Sequence, residues 1–151
     1  MKAVVQIVTT SDVKVNKESV GKIADGLFVL LGVTEDDTKA EAELLARKIC
    51  NLRVFCDEND KMNLSVLDID GSVLVVSNFT LCADTKKGNR PNFMNAARPE
   101  KAEPLYEYFT ECIMGNGVKQ VQNGQFGADM KIETNLSGPV TILLDTDVWR
   151  K

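Results

Sequence analysis

Most of this chain follows the alternating or continuous apolar pattern of β-strands. Residues 1–9 alternate and are rich in β-branched side chains, whereas Gly26–Val33 is a continuous apolar run typical of a strand covered on both faces. The pattern also predicts a short hairpin around Asn16-Lys17. The predicted strands are Met1–Thr9, Val13–Val15, Ser19–Ile23, Gly26–Val33, Ser72–Thr80, Val118–Val121, Met130–Thr134 and Val140–Leu144.

Two stretches have helical spacing instead. Thr38 and Glu41 match a capping box, and the apolar residues behind them recur at helical spacing as far as Leu52. A second helix is predicted to begin between Pro99 and Pro104, because proline is tolerated in a first turn, and to stop at the Gly-Asn-Gly sequence. Strands dominate and two helices interrupt them, which predicts one α+β domain over residues 1–151, with helices on one side of mixed, mostly antiparallel sheet layers.

The Gly138-Pro139 step breaks the last strand pattern. Proline cannot donate to a β-ladder and is normally confined to strand edges, first positions and bulges. From this step alone, a tight turn between two strands is the favoured interpretation. The alternative is a cis peptide bond with a functional purpose, since cis bonds are essentially a proline phenomenon.

The absence of histidine limits the chemistry available to this chain. It excludes Ser-His-Asp and Cys-His nucleophile systems, histidine bases and histidine metal ligands. The four cysteines form no CxxC pair, so they suggest neither a zinc site nor a disulfide framework. We therefore expect no metal and no cofactor, and an enzyme built on this chain would use backbone groups, hydroxyls, amides, carboxylates or its substrate.

The net charge and the hydropathy of the chain limit which binding partners and which cellular compartment we expect for it. The net charge of −4 argues against a protein that coats nucleic acid non-specifically, although a local basic patch remains compatible with it. No apolar run approaches the roughly 20 residues of a membrane span. The first residues lack the apolar core and cleavage site of a signal peptide, so we expect no membrane association and a cytoplasmic location.

Three segments together carry a family resemblance. They are SNFTLCADTKKGNRPNF at Ser77–Phe93, NLRVFCDENDKMNLSVLDIDG at Asn51–Gly71 and GQFGADMKIETNLSGPVT at Gly124–Thr141. With the MKAVVQIV start, they strongly resemble the D-aminoacyl-tRNA deacylases, also called D-tyrosyl-tRNA deacylases. The resemblance covers nearly the whole chain in the right order.

The resemblance implies a fold, an activity and an assembly. The fold is a three-layer β-β-α sandwich. The activity is hydrolysis of the ester between a D-amino acid, or glycine, and the 3′-terminal adenosine of tRNA. The assembly is a homodimer with its active site at the subunit interface, where the family's Gly-cisPro step reaches into the partner's pocket. That step matches Gly138-Pro139.

The catalytic candidates lie at the end of the Ser72–Thr80 strand: Ser77, Asn78, Phe79 and Thr80. Backbone N–H groups near Phe79 and Thr80 leave the ladder there and are suited to holding a developing oxyanion. Because the Thr80 hydroxyl has no evident activator, we expect a water nucleophile assisted by the substrate's ribose 2′-OH, with Thr80 positioning it. Without the resemblance, a plain strand end with Ser and Thr satisfying backbone groups is the simpler interpretation.

The resemblance also supplies binding candidates. Gly138 and Pro139 would accept from the α-ammonium group through their carbonyls and exclude L-side chains by collision, with Val140 beside them supporting the strand. The terminal adenosine would use Phe126, Met130 and Ala102, although from sequence alone a core role is the favoured interpretation for these three residues. The candidate phosphate contacts are Lys86, Lys87 and Arg90, and a solvated loop is the alternative for them.

Three positions depart from the family pattern. Asn78 replaces Gln, Ile7 stands where relatives commonly carry Arg, and Leu136-Ser137 replaces Asn-Asp before the Gly-Pro step. Ile7 and Leu136-Ser137 put the anchoring of that step in doubt, and Asn78 does so for the side-chain hydrogen bond of the expected Gln. Two alternatives to the deacylase stay open. One is a non-catalytic dimeric binding module with the same pocket, and the other is a general small-ester or thioester hydrolase.

Overall fold

The computed structural model describes residues 1–150 and is built on one mixed sheet flanked by two helices. The strand order in this sheet is β2-β1-β3-β6-β7, and β8 also pairs with β1. Strands β4 and β5 form a separate two-stranded sheet. The strands are β1 Lys2–Val15, β2 Glu18–Ile23, β3 Gly26–Gly32, β4 Phe55–Cys56, β5 Met62–Leu64, β6 Ser72–Ser77, β7 Val121–Asn123 and β8 Lys131–Asp145. The helices are α1 Lys39–Asn51 and α2 Pro99–Gly115.

Two apolar cores separate three layers, as the predicted sandwich requires. On β6, Val73 and Val75 belong to the core that packs against the helices, whereas Leu74 and Val76 belong to a second core on the opposite face. Successive strand residues point to opposite faces, so a strand buried on both sides reads as a continuous apolar run. The second core consists of Val8, Val13, Ile23, Phe28, Leu74 and Val76. The predicted α+β class with two helices and a mostly sheet core is confirmed.

The helices begin where their sequence signals predict. The Thr38 side chain accepts from the Ala40 amide and Glu41 accepts from the Thr38 amide, which completes the capping box of α1. Helix α2 begins at Pro99, a position where its missing N–H costs no intrahelical hydrogen bond. Within residues 1–150, neither helix is long and apolar enough to cross a membrane.

A buried ion cluster ties β1 to the start of α1 and to the end of β8. The fully buried Asp37 carboxylate lies 2.6 Å from the Met1 ammonium group and 3.0 Å from Arg150 Nη2. The Met1 ammonium also donates to Thr146 Oγ1 at 2.7 Å. Pairing of this kind offsets the cost of removing the charges from water.

The predicted turn at Gly138-Pro139 is wrong, because this step lies inside one strand. Strand β8 pairs with β1 on both sides of it, with Thr141 opposite Gln6 and Leu136 opposite Val8. The residues between Leu136 and Thr141 therefore bulge out of the ladder opposite a single residue of β1, and the Gly138-Pro139 bond is cis. Pairing with β1 holds the strand together across a proline that sequence reasoning treats as its end.

Two side-chain hydrogen bonds anchor this bulge. On one side Gln6 Nε2 donates to Thr141 Oγ1 at 3.2 Å, and on the other Asn135 Nδ2 donates to Thr10 Oγ1 at 2.9 Å. The half-buried Ile7 packs against the helix-facing core at the same level. Amide and hydroxyl pairs on both flanks thus hold the bulge, in place of the arginine that the family pattern leads one to expect at position 7.

Candidate functional site

An apolar cavity of 550 Å³ lies where β6 ends. It has one wall from the turn after β6, one from the first turns of α2 and one from the loop between β7 and β8. Its lining residues are Leu31, Val33, Ser77, Asn78, Phe79, Phe93, Ala96, Ala97, Arg98, Pro99, Ala102, Tyr106, Phe126, Gly127, Ala128 and Met130. Pockets of this size, lined mainly by apolar groups with a few polar ones, are typical of small-molecule sites.

The end of β6 leaves two backbone donors free beside the cavity. The Asn78 amide donates to the Leu31 carbonyl at 2.8 Å, and the chain then turns into a short 3-10 helix over Phe79–Cys82. Among the hydrogen bonds of residues 1–150, the Phe79 and Thr80 amides have no acceptor. The predicted strand Ser72–Thr80 therefore ends at Ser77, since the turn replaces its last residues. Adjacent unpaired N–H groups of this kind can stabilise an oxyanion.

The Thr80 hydroxyl is held by a neighbouring side chain. It donates to Asn78 Oδ1 in a short contact, while Asn78 itself lines the cavity and Thr80 does not. The side chain of Asn78 therefore acts as an acceptor for Thr80, which fixes the hydroxyl next to the two free amides.

A hydrogen-bonded tyrosine forms the back of the cavity. The buried Tyr106 hydroxyl donates to the Val75 carbonyl at 2.9 Å and accepts from Asn123 Nδ2 at 2.9 Å. Its ring lies 5.9 Å from that of Phe126, centroid to centroid. Burial raises the pKa of Tyr106, so the phenol stays neutral and keeps its donor role. Tyr106 thereby connects β6, α2 and the loop that carries Phe126.

Three adenosine-binding candidates meet in this cavity. Ala102 is buried in the first turns of α2, and Phe126 and Met130 face it from the loop after β7. A Cβ at Gly124 would lie 2.7 Å from Met130 Sδ, so only glycine lets the methionine approach the β7 backbone this closely. Phe126 also packs against the helix-facing core, and Met130 packs against the second core. Both residues are therefore cavity residues and core residues at the same time.

The Gly138-Pro139 bulge lies on a different surface. Gly138 and Pro139 are exposed and do not line the cavity, and Val140 packs against the helix-facing core. Among residues 1–150, β8 pairs only with β1, so its outer edge has no partner. Leu136 and Leu143 on this strand are 49% and 76% exposed. Large exposed apolar residues on an unpaired edge mark an interaction surface.

The basic candidates lie on an exposed loop close to the cavity. Lys86, Lys87 and Arg90 are exposed, and no carboxylate of residues 1–150 lies within ion-pair distance of them. The loop is closed by a bridge between Asp84 and Asn92, whose backbone groups are 2.7 and 2.9 Å apart. Its positive charge therefore stays available to an anionic ligand.

Sequence reasoning missed Tyr106, Phe93 and Arg98, which all line the cavity. Tyr106 lies one helical turn after Ala102, and this spacing places both on one helix face, so the signal was present. Phe93 and Arg98 carry no such signal, because their loop reaches the cavity only through long-range backbone bonds such as Ala97 N to Val33 O at 2.9 Å.

The arrangement favours chemistry by positioning. No carboxylate lines the cavity among the described residues, and the chain has no histidine, so the lining offers no strong side-chain base. The lining offers an apolar slot and Phe79 with its free amide, and Thr80, the next residue in the chain, adds a second free amide and the hydroxyl held by Asn78. These groups suit the capture of a planar, partly apolar ligand whose reacting carbonyl lies beside Phe79 and Thr80.

Comparison with known proteins gives a consistent result. The family model described as D-Tyr-tRNA(Tyr) deacylase matches residues 4–145. Two proteins named D-aminoacyl-tRNA deacylase, from Caldicellulosiruptor saccharolyticus and Clostridioides difficile, are 56% and 55% identical over 146 residues, covering 97% of this chain and 97% of each relative. A solved structure described as c-Myc DNA Unwinding Element Binding Protein superposes with a TM-score of 0.91 at 44% identity, covering 96% of this chain and 98% of that one.

A more distant solved structure shows the fold alone. It is described as a structural analysis of a probable eukaryotic D-amino acid tRNA deacylase and superposes with a TM-score of 0.81 at 16% identity. The alignment covers 95% of this chain and 97% of that one. The layered architecture is therefore retained where most of the sequence has changed.

Proposed function

The chain belongs to the D-Tyr-tRNA(Tyr) deacylase family, whose members are hydrolases, and from this premise we propose the substrate and the mechanism of its site. The substrate is tRNA carrying a D-amino acid or glycine on its 3′-terminal adenosine, and the reaction is hydrolysis of that ester. The observation that carries the proposal is the pair of free amides at Phe79 and Thr80, beside an apolar cavity in a chain without histidine.

The ester carbonyl lies against the two free amides. As water adds to the carbonyl carbon, the oxygen becomes an anion, and preorganised N–H donors stabilise this charge more than the neutral ground state. The ribose 2′-OH next to the ester assists the attacking water. The Thr80 hydroxyl, held by Asn78, positions this water. Collapse of the intermediate releases the free amino acid and the 3′-OH of the adenosine.

Chirality is selected by backbone from a second subunit. Gly138 and Pro139 are exposed on the unpaired β8 edge and do not line the cavity of their own chain, which supports their reaching the cavity of a partner in a homodimer. There their carbonyls accept from the α-ammonium group, while the rigid backbone collides with an L-side chain. Val140 supports them from the core side. Exposed Leu136 and Leu143 supply apolar contact area for this dimer.

The nucleotide end of the substrate occupies the cavity and the nearby loop. The adenine base enters the slot between Ala102, Phe126 and Met130. Lys86, Lys87 and Arg90 contact phosphates of the acceptor end, where lysine and arginine provide sequence-independent positioning. A cytoplasmic location, where aminoacyl-tRNA is used in translation, is part of this proposal.

The test compares D-tyrosyl-tRNA with L-tyrosyl-tRNA. We expect rapid deacylation of the D-form and little effect on the L-form beyond the spontaneous rate. No hydrolysis of the D-form, or equal hydrolysis of both, contradicts the proposal. Tight binding of a D-aminoacyl-adenosine analogue without turnover would instead indicate a binding module, and comparable activity on simple esters would indicate a general esterase.

A further inference from the structure

Two aromatic side chains that line the cavity, Phe79 and Phe93, are also exposed to solvent, and the exposed Met94 directly follows Phe93 in the chain. Phe79 is 57% exposed, Phe93 37% and Met94 82%. The two rings contact edge to face, with centroids 5.1 Å apart and planes at 70°. This geometry leaves ring surface open to solvent, and both rings also line the cavity. We call Phe79, Phe93 and Met94 the rim cluster.

Backbone and side-chain bonds hold the rim cluster in place. The Met94 amide donates to Asn92 Oδ1 at 2.8 Å, and the Ala96 amide donates to the Phe93 carbonyl at 3.0 Å. The Glu35 amide donates to the Asn95 carbonyl at 3.1 Å and ties the segment to the end of β3. A preorganised apolar surface loses little entropy when a ligand docks on it.

Positively charged residues flank the rim cluster along the chain. Lys86, Lys87 and Arg90 lie in the same loop, and Arg98 lines the cavity at the start of α2. None of the four forms an ion pair with a carboxylate of residues 1–150. Open aromatic surface between unpaired cations suits single-stranded nucleic acid, whose bases stack while its phosphates pair with the cations.

We propose that the rim cluster stacks the base of the nucleotide that precedes the terminal adenosine. This inference rests on the proposed function, since it takes the adenosine to fill the cavity. The strand then leaves the cavity across Phe79 and Phe93, so the next base meets these rings. Stacking is tolerant of base identity because every base has a π-face. The rim cluster would thus distinguish tRNA from a free aminoacyl-nucleoside without reading sequence.

The test measures a ratio of two substrates. For each variant, kcat/KM is measured with D-tyrosyl-tRNA and with D-tyrosyl-adenosine, which lacks the preceding nucleotide. We expect Phe93→Ala to lower the ratio by about 5- to 100-fold, the usual effect of losing one stacking ring. Met94→Ala lowers it by about 2- to 10-fold, as expected for a methionine contact with a ring. Phe93→Tyr keeps an aromatic face and keeps the ratio.

Met114→Ala is the matched control. Met114 is an exposed methionine at the far end of α2 from the cavity, 48% exposed, and its loss leaves the ratio unchanged. An unchanged ratio in both Phe93→Ala and Met94→Ala overturns the proposal. So does an equal loss on both substrates accompanied by dissociation in sedimentation, which would mean that the rim cluster seats a second subunit.

Binding of uncharged RNA separates this inference from the proposed function. An RNA with the acceptor end of tRNA is titrated against wild type and Phe93→Ala, with adenosine as the reference ligand. If wild type hydrolyses neither ester, the proposed function fails, but a weaker RNA affinity in Phe93→Ala still supports the stacking surface. Equal RNA affinities of the two proteins overturn it.

Discussion

The end of β6 and the bulge in β8 are both places where a strand departs from its ladder, and they do so in opposite ways. At Ser77 the chain turns toward the helices and leaves two amides beside a cavity. At Gly138-Pro139 the chain bulges into solvent, away from the lining of the β6 cavity, and then returns to the same ladder. The first region can bind a ligand, whereas the second only presents rigid backbone.

This difference explains why neither region forms a chiral site by itself. The cavity lining is mostly apolar side chains, which tolerate either enantiomer in some orientation, while the bulge offers the fixed carbonyls that could reject one. A homodimer that sets the bulge of one subunit over the cavity of the other would combine them, since an isologous interface makes each contact twice.

The largest expected effect comes from separating the two regions. In Leu136→Asp/Leu143→Asp, two carboxylates replace exposed leucines on β8, which changes the folded monomer little but places charges in the proposed interface. Burying an unpaired charge costs several kcal/mol, so the dimer dissociation constant should rise more than about 100-fold. We expect monomers by analytical ultracentrifugation and loss of deacylation. Met62→Asp, a matched change at an exposed residue of β5, should leave the dimer intact.

Altering the bulge while keeping the dimer should affect selectivity. Gly138 has a φ of +114°, and an added Cβ would lie 2.8 Å from Val140 Cγ2 and from the Val140 amide. Gly138→Ala therefore forces the bulge to shift, and we expect the D/L ratio of kcat/KM to fall at least about tenfold, equivalent to 1.4 kcal/mol. The control is Gly88→Ala, at a φ of +67° with open space around it. A fall in both variants, or in neither, contradicts the role of the bulge.

The two regions also differ in how far sequence predicts them. The capping box of Thr38 and Glu41 and the strand that begins at Ser72 rest on local sequence, and the structure confirms both. The continuity of β8 rests on its pairing with β1, more than a hundred residues earlier, and local turn chemistry points the wrong way there. The sequence predicts two separate five-residue strands, one on each side of Gly138-Pro139. The structure has a single 15-residue strand there, β8.

The site shows the same division. The motif at Ser77–Leu81 locates the free amides, although the strand ends at Ser77 and not at Thr80 as its apolar pattern predicts. The cavity walls from Phe93 and Arg98 depend on a loop held by Val33 and Glu35, and no local pattern reports that contact. The Gln6–Thr141 and Thr10–Asn135 bonds that anchor the bulge are long-range pairs as well.

Thr80 tests the cavity side alone. Thr80→Val keeps the side-chain shape and removes the hydroxyl that Asn78 holds, so kcat should fall about tenfold with KM nearly unchanged, the size of one hydrogen bond. Thr80→Ser restores the hydroxyl and most of the rate, and Thr85→Val on the exposed loop is silent. The D/L ratio stays constant in all three, because the bulge is untouched. A changed D/L ratio in Thr80→Val would show that the two regions are not separable.

The smallest expected effect is a pH-dependent change in the free energy of unfolding, and it involves only the pairing of β8 with β1. Asp145, at the end of β8, accepts from Lys2 Nζ at 2.8 Å. Burial opposes ionisation of Asp145, but the hydrogen bonds from Lys2 and from the Asp147 amide outweigh it and lower its pKa. A carboxyl with a lower pKa in the folded state stabilises above its unfolded pKa of about 3.9, and this contribution disappears as pH falls through the folded pKa. Asp145→Asn should therefore be less stable than wild type at pH 7 by at most about 1 kcal/mol, because the pair is partly exposed.

The stability difference between the two proteins should begin to shrink in urea unfolding near pH 4 and should vanish as pH falls through the lowered pKa of folded Asp145, below which both proteins lack the charge at position 145. Glu133→Gln removes a more exposed pair with Lys14 on the same two strands, 73% exposed at the carboxylate, and its stability difference should be smaller at every pH. Since Lys2–Asp145 joins β8 to β1 and neither residue lines the cavity, its loss should leave kcat on D-tyrosyl-tRNA unchanged at pH 7. A parallel loss of kcat would instead couple the β8 edge to the cavity within one subunit, and a stability difference that grows below pH 4 would reverse the assigned pKa direction.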